Sequence, residues 1–157
     1  MVVFENAGPF AVARRVLGEL TITPYDLVAY GGGRSFLAAL GYIKTLERRV
    51  SSIHYVGDID DAGLDIAWNA RRCAAQLGLP TIQPATEVHR QMLVAAQAFG
   101  HPDGWPVDER VSRRDRRRAL EILDAEIQVR AERILQAGRR IPEEVLGPNE
   151  LRVAWAP

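Results

Sequence analysis

The 157-residue chain has a single cysteine, no excess of either charge and no apolar run as long as a membrane span. Cys73 has no partner for an internal disulfide, so we expect it to pack as a small apolar side chain in a reducing compartment. Basic and acidic residues balance at 20 each, which argues against a free-standing, high-affinity nucleic-acid binder. The N-terminus also lacks the layout of a signal peptide. We therefore expect a cytoplasmic protein with no membrane partner.

Length and composition fit one globular domain. Apolar residues make up 47% of the chain and charged residues 25%, which are ordinary proportions, and 157 residues can bury a sizeable core. We predict a single domain over residues 1–157. Its first apolar run, residues 1–5, is a strand pattern with no lead-in, from which we expect the domain to be the C-terminal part of a longer polypeptide.

Short apolar runs alternate with segments of helical spacing along the first half of the chain. We expect strands at residues 1–5, 27–30, 53–57 and 81–83, with a helix after each. This alternation indicates repeated right-handed βαβ units. The sequence therefore predicts an α/β, Rossmann-like fold with a parallel sheet of about four strands, ordered 2-1-3-4 and flanked by helices.

The second half of the chain has a helical pattern. After a helix over about residues 87–98, Ser112 and Asp115 have the spacing of a capping box, which predicts the start of a long C-terminal helix. Its apolar stripe continues to Gly138. A short helical turn follows over residues 143–146, opened by Pro142 and closed by Gly147.

Two carboxylates follow the third apolar run, with one residue between them. Side chains two apart on a strand point the same way, so Asp58 and Asp60 aim at one point beyond the strand end, where open α/β sheets bind ligands. Such a pair repels unless a proton or a cation lies between the two groups, and oxygen ligands suit magnesium. The alternative is that Asp60 or Asp61 caps the next helix while Asp58 is solvated. The two interpretations stand level on this fragment.

Glu5 ends the first strand as Asp58 ends the third. If the two strands are neighbours, Glu5, Asp58 and Asp60 converge into a hard-metal site in which one carboxylate also transfers protons. The alternative for Glu5 is an exposed residue at a strand end. The turn after the second strand adds candidate contacts to a DNA phosphate, through backbone amides and a guanidinium: Gly32, Gly33, Arg34 and Ser35. A glycine turn that needs positive φ is the alternative there.

Two further charged groups have open roles. The arginines at positions 113, 114, 116, 117 and 118 are a solvated helix face or a contact to DNA or a partner protein. Glu143 and Glu144 supply a ligand to a second metal, or form a first-turn pair favoured by the helix dipole. The three histidines have no metal-ligand spacing and are interpreted as structural or surface residues.

Three motifs together resemble a TOPRIM domain: Phe-Glu-Asn-x-x-x-Phe at residues 4–10, Tyr-Gly-Gly-Gly-Arg-Ser at 30–35 and Tyr-x-Gly-Asp-Ile-Asp-x-x-Gly at 55–63. More narrowly, the chain is similar to the C-terminal TOPRIM domain of the JetD family of Wadjet nuclease subunits, relatives of the topoisomerase VI A subunit. The resemblance covers about residues 2–84, and beyond them it rests on helical layout and on Arg-Ile-Pro-Glu-Glu at 140–144.

The resemblance implies a metal-dependent endonuclease that cleaves plasmid or foreign DNA. It implies magnesium or manganese on Asp58 and Asp60, and proton transfer by Glu5. The partners that it implies are double-stranded DNA and a condensin-like, SMC-type ATPase complex; a homodimer stays open.

Two rival functions remain. A haloacid-dehalogenase-like phosphatase also has an apolar strand followed by Asp-x-Asp, but there the motif normally opens the chain, and here no lysine follows Lys44. A non-catalytic TOPRIM-like module that only binds a partner is the second rival.

Overall fold

The structure, a computed structural model, describes residues 1–107 and 116–157. Its strands are β1 (Val2–Phe4), β2 (Val28–Tyr30), β3 (Ile53–Val56), β4 (Ile82–Pro84), β5 (Trp105–Pro106) and β6 (Arg139–Arg140). Its α-helices are α1 (Ala7–Glu19), α2 (Ser35–Ala39), α3 (Asp61–Gln76), α4 (Thr86–Ala98), α5 (Arg116–Leu120), α6 (Ala125–Gln136) and α7 (Pro148–Ala154). Turns of 3-10 helix lie at Leu40–Thr45 and Glu143–Val145. None of the helices described is both long and apolar enough to cross a membrane.

The first four strands form one parallel sheet in the order β2-β1-β3-β4, which confirms the predicted fold class and strand order. Val2 pairs with Val28 on one side and with His54 on the other, so β1 is central. Every residue of β1 is fully buried. This explains the unbroken apolar run, because strands covered on both faces need no polar side.

Helices cover both faces of the sheet. With the right-handed crossovers usual for parallel strands, this strand order puts α1 on one face and α2 and α3, which contact each other, on the other. The C-terminal helix α7 packs between α1 and α4. Its Trp155 meets Phe4 of β1 edge-on, with ring centroids 6.4 Å apart. Helix α7 was not predicted, although Pro148 in its first turn and the hydrogen bond from Gly147 N–H to Glu150 Oε2 (2.9 Å) favour a helix start there.

The expectation of one long helix ending near Gly138 is not met. The described part of that segment is two helices, α5 and α6, and the chain turns between them. Backbone bonds of the i→i+3 type tighten residues 118–123, and Asp124 is extended (φ −65°, ψ 151°), which ends helical geometry before α6. The Asp124 carboxylate accepts a hydrogen bond from Thr86 of α4, a long-range contact that fixes the turn.

The proposed cap at Ser112 and Asp115, with Arg113 and Arg114, lies outside the described residues. Arg117 and Arg118 lie on α5 and are exposed.

A small antiparallel ladder joins two distant segments beside the sheet. Trp105 pairs with Arg140, and Pro106 with Arg139, between β5 and β6. The next residue, Ile141, exchanges both backbone hydrogen bonds with Ile59, at 2.9 and 3.2 Å. The chain after β6 therefore runs across the carboxyl end of β3, where Asp58 and Asp60 lie.

Candidate functional site

Glu5 is held at the carboxyl end of β1 by backbone bonds to both neighbouring strands. Its N–H donates to Val56 O at 2.9 Å, and its carbonyl accepts from Gly32 N–H at 3.0 Å. Its side-chain Oε2 accepts a hydrogen bond from the Tyr55 hydroxyl at 3.0 Å. The ring of Tyr55 in turn stacks on Phe36 of α2, with centroids 5.3 Å apart. The half-buried Glu5 carboxylate is therefore fixed in direction as well as in place.

Two glycines of the Gly-Asp-x-Asp-x-x-Gly motif make room for the Glu5 side chain. A Cβ on Gly57 would overlap Glu5 Oε2, and a Cβ on Gly63 would lie 3.2 Å from the same oxygen. From the other side, a Cβ on Gly33 would lie 3.8 Å from Oε1. The acidic site and the glycine turn after β2 are thus direct neighbours.

We expect Gly57→Ala to displace the Glu5 side chain and break its bond with Tyr55. Overpacking of this kind costs about 1 to 3 kcal/mol, so urea denaturation should show a lower free energy of unfolding. The matched control is Gly8→Ala in α1, where an added Cβ meets nothing within 4 Å and alanine favours the helix. Equal stability of Gly57→Ala and the unaltered protein would contradict the close contact with Glu5.

Asp58 is nearly buried, and both of its oxygens are engaged. Oδ1 accepts the backbone N–H of Glu143 at 2.8 Å. Oδ2 accepts from Arg140 Nη1 at 3.1 Å. The alternative of a solvated Asp58 is therefore wrong: the side chain is only 11% exposed.

Asp60 caps α3 and also faces the same guanidinium as Asp58. Its Oδ1 accepts from Gly63 N–H at 2.7 Å, and its backbone is extended (φ −144°, ψ 173°), as an N-cap requires. Its Oδ2 lies 3.9 Å from Arg140 Nη1. The capping interpretation thus holds for Asp60, and a cation does lie between the two aspartates, supplied by Arg140.

Glu143 is fully buried and connects the C-terminal segment to the end of β1. Its Oε1 accepts the N–H of Asn6, and its Oε2 accepts the N–H of Glu5 at 3.3 Å. Its own N–H is the donor to Asp58 Oδ1. Glu143 therefore links the backbone of Glu5 to the carboxylate of Asp58, whereas the neighbouring Glu144 is exposed.

Burial raises the pKa values of three carboxyl groups in the site, and repulsion from neighbouring carboxylates adds to the rise. Burial raises the pKa of Glu5 to about 7, against the hydrogen bond from Tyr55, and repulsion from Asp58, Asp60 and Glu144 adds to the rise. Burial also raises the pKa of Asp58 to about 6, although the Glu143 N–H and Arg140 act in the opposite direction. Burial raises the pKa of Glu143 to about 9 despite its two amide donors. These three carboxyl groups of the site therefore hold their protons to higher pH than free carboxyl groups do.

The glycine-turn interpretation holds for the segment after β2, whereas its contact with a DNA phosphate stays a prediction. Gly32 and Gly33 have φ of 66° and 60°, so the backbone needs glycine there. Ser35 begins α2, a helix of only five residues. Arg34 Nη2 lies 3.8 Å from Asp65 Oδ2, and the two side chains are 75% and 44% exposed, so this ion pair is weak and Arg34 can turn to a ligand.

The donor chemistry of the site suits a hard divalent cation, because carboxylate oxygens from two adjacent strand ends are available. As arranged, however, no three or more His, Cys, Asp or Glu side chains within residues 1–107 and 116–157 are placed to hold one metal ion. Arg140 instead lies against Asp58 and Asp60, and the Glu5 carboxylate bonds to Tyr55.

Sequence reasoning missed Arg140 as a contact of the aspartates, Tyr55 as a donor to Glu5, and the buried position of Glu143. Of these three features, only the contact of Tyr55 with Glu5 could have been found from the strand pattern. The register partner of Tyr55 is Val3, two residues before Glu5, so Tyr55 and Glu5 share a face of the sheet.

No family model, curated protein or solved structure matches the chain in comparisons with known proteins. Function is therefore inferred from the geometry of the acidic site and from the motifs that carry the resemblance to TOPRIM domains.

Proposed function

We propose that the chain is a TOPRIM-type catalytic domain that cleaves phosphodiester bonds of double-stranded DNA with magnesium or manganese. The observation that carries the proposal is the position of Glu5, Asp58 and Asp60, which end two adjacent parallel strands at one edge of the sheet. In the proposed setting, the domain acts in the cytoplasm on plasmid or foreign DNA, beside a condensin-like ATPase complex of the Wadjet type.

Asp58 and Asp60 are the proposed ligands of the divalent cation. Bound there, the cation supplies positive charge to a phosphate oxygen during cleavage. Glu5 is the proposed proton-transfer group. With a pKa of about 7 it is present in both protonation states near neutral pH, which suits a group that gives and takes protons. Tyr55 positions it through the hydrogen bond to Oε2.

The glycine turn is the proposed contact to the DNA backbone. Gly33 adjoins Glu5, and the exposed Arg34 next to it can pair with a phosphate. Because the chain has zero net charge, we propose that its partners supply most of the binding affinity for duplex DNA.

We expect Glu5→Gln to abolish cleavage while it keeps most of the affinity for manganese. Glutamine retains the size and one acceptor oxygen of Glu5 but cannot transfer a proton. The measurements are calorimetric titration of Mn²⁺ and a nicking assay on supercoiled plasmid with the complete complex, and Glu19→Gln on α1 is the surface control. If Glu5→Gln loses manganese as fully as a variant of Asp58, Glu5 is simply a ligand and the proton-transfer role is wrong.

A non-catalytic, partner-binding module is the second candidate, and one observation favours it. Both oxygens of Asp58 already have partners within the chain, Glu143 N–H and Arg140. If the unaltered protein shows neither Mn²⁺ binding nor plasmid nicking, the nuclease proposal fails and the module is favoured. Hydrolysis of p-nitrophenyl phosphate without nicking would instead point to a phosphatase.

A further inference from the structure

The guanidinium of Arg140 lies where a cation shared by the two aspartates would lie. Its Nη1 is 3.1 Å from Asp58 Oδ2 and 3.9 Å from Asp60 Oδ2. Asp58 is 11% exposed and Asp60 17%, so these carboxylates are poorly solvated and need a counter-charge.

The backbone of Arg140 is fixed, but its side chain is long and partly exposed. Arg140 pairs with Trp105 in the small ladder, and Ile141 exchanges two backbone hydrogen bonds with Ile59. The Arg140 side chain itself is 43% exposed. The guanidinium can therefore swing toward solvent without any change in the backbone that carries it.

We infer that Arg140 is an internal counter-ion of the Asp58–Asp60 pair, which a divalent cation must displace in order to bind. The inference rests on the proposed function, because it takes the two aspartates as the metal ligands. A divalent cation on these aspartates would be repelled by the guanidinium and would compete with it for Oδ2 of Asp58 and Oδ2 of Asp60. Binding of the metal and seating of Arg140 are therefore mutually exclusive, and removal of the guanidinium strengthens metal binding.

The test is calorimetric titration of Mn²⁺ into Arg140→Gln and the unaltered protein. Competing interactions of this kind change affinity by about 5- to 150-fold, so we expect Arg140→Gln to bind Mn²⁺ at least about fivefold more tightly. Arg139→Gln is the matched control, because the Arg139 guanidinium bonds to the carbonyls of Asp103 and Gly104 rather than to a carboxylate. We expect it to bind Mn²⁺ as the unaltered protein does. Arg140→Lys, which keeps the charge, should also stay closer to the unaltered protein.

Thermal denaturation gives a second readout that needs no activity. In EDTA, Arg140→Gln should melt below the unaltered protein, because the aspartates lose their counter-charge. With Mn²⁺ it should gain more in melting temperature than the unaltered protein gains. Arg140→Met, which keeps the aliphatic stem, repeats both measurements should the glutamine variant fold poorly.

The outcomes separate the two proposals. If the unaltered protein binds Mn²⁺ and neither Arg140→Gln nor Arg140→Met binds it more tightly, the counter-ion inference is overturned while the nuclease proposal stands. If neither the unaltered protein nor the Arg140 variants bind Mn²⁺, both are overturned.

Discussion

Glu143→Ala should lower the free energy of unfolding by roughly 2 to 4 kcal/mol at pH 5, because it leaves a partly buried amide unpaired and opens a cavity. The substitution removes the acceptor of Asn6 N–H, whereas Glu5 N–H keeps its bond to Val56 O at 2.9 Å. Urea denaturation measures the loss. The control is Glu144→Ala on the same turn, an exposed position where we expect a change within about 0.5 kcal/mol.

The effect of Glu143 on stability depends on pH, and the sign follows from its pKa. The folded-state pKa of about 9 lies above the ordinary 4.5, so the folded protein holds a proton on Glu143 that the unfolded chain loses. Stability from this group is complete below pH 4.5 and is lost as pH rises toward 9, with a limiting slope of about 1.4 kcal/mol per pH unit. Glu143→Gln is neutral throughout, so it should be close to the unaltered protein at pH 5 and more stable at pH 8.5. If the free energies of unfolding of the two proteins depend on pH in the same way, Glu143 is not a buried protonated group.

Asp58→Asn should abolish Mn²⁺ binding and plasmid nicking together. It leaves Asp60 as the sole aspartate of the pair, and loss of an outer-sphere partner alone costs about 10- to 100-fold in metal affinity, so loss of a direct ligand should exceed that. The asparagine keeps an oxygen for the Glu143 N–H, so the fold should persist by circular dichroism. Calorimetry and the nicking assay on the complete complex measure the two losses.

The matched control for Asp58→Asn is Asp65→Asn on α3. Asp65 is a partly exposed carboxylate that forms an ion pair with Arg34, at 3.8 Å. The Asp65→Asn variant should bind Mn²⁺ as the unaltered protein does. Undiminished Mn²⁺ binding by Asp58→Asn would place the ion elsewhere and remove the basis of the proposed site.

The sheet could be predicted from sequence because its signals are local. Each strand is a short apolar run that ends at a turn residue, and helical spacing separates one run from the next. The end of the long helix could not be predicted in the same way. The apolar stripe continues through Leu120 and Leu123, whereas the turn at Asp124 is fixed by a contact with Thr86, 38 residues away in the chain.

The same contrast applies to the candidate site. The predicted strand order made the first and third strands neighbours. It therefore placed Glu5, Asp58 and Asp60 at neighbouring strand ends. Two residues that bond to this group, Arg140 and Glu143, are distant in sequence. Arg140 is 82 residues from Asp58, and Glu143 is 138 residues from Glu5, so no local pattern indicates either contact.

These separations determine when the site can exist during synthesis. The four parallel strands are complete at Pro84, but the two groups that bond to the Asp58 carboxylate lie on Arg140 and Glu143. A nascent chain that has emerged only as far as α4 contains all three acidic residues without the segment that orders them. Closing so long a loop is slow compared with forming local structure. The acidic edge of the sheet can therefore be completed only after the segment that carries Arg140 and Glu143 has been synthesised.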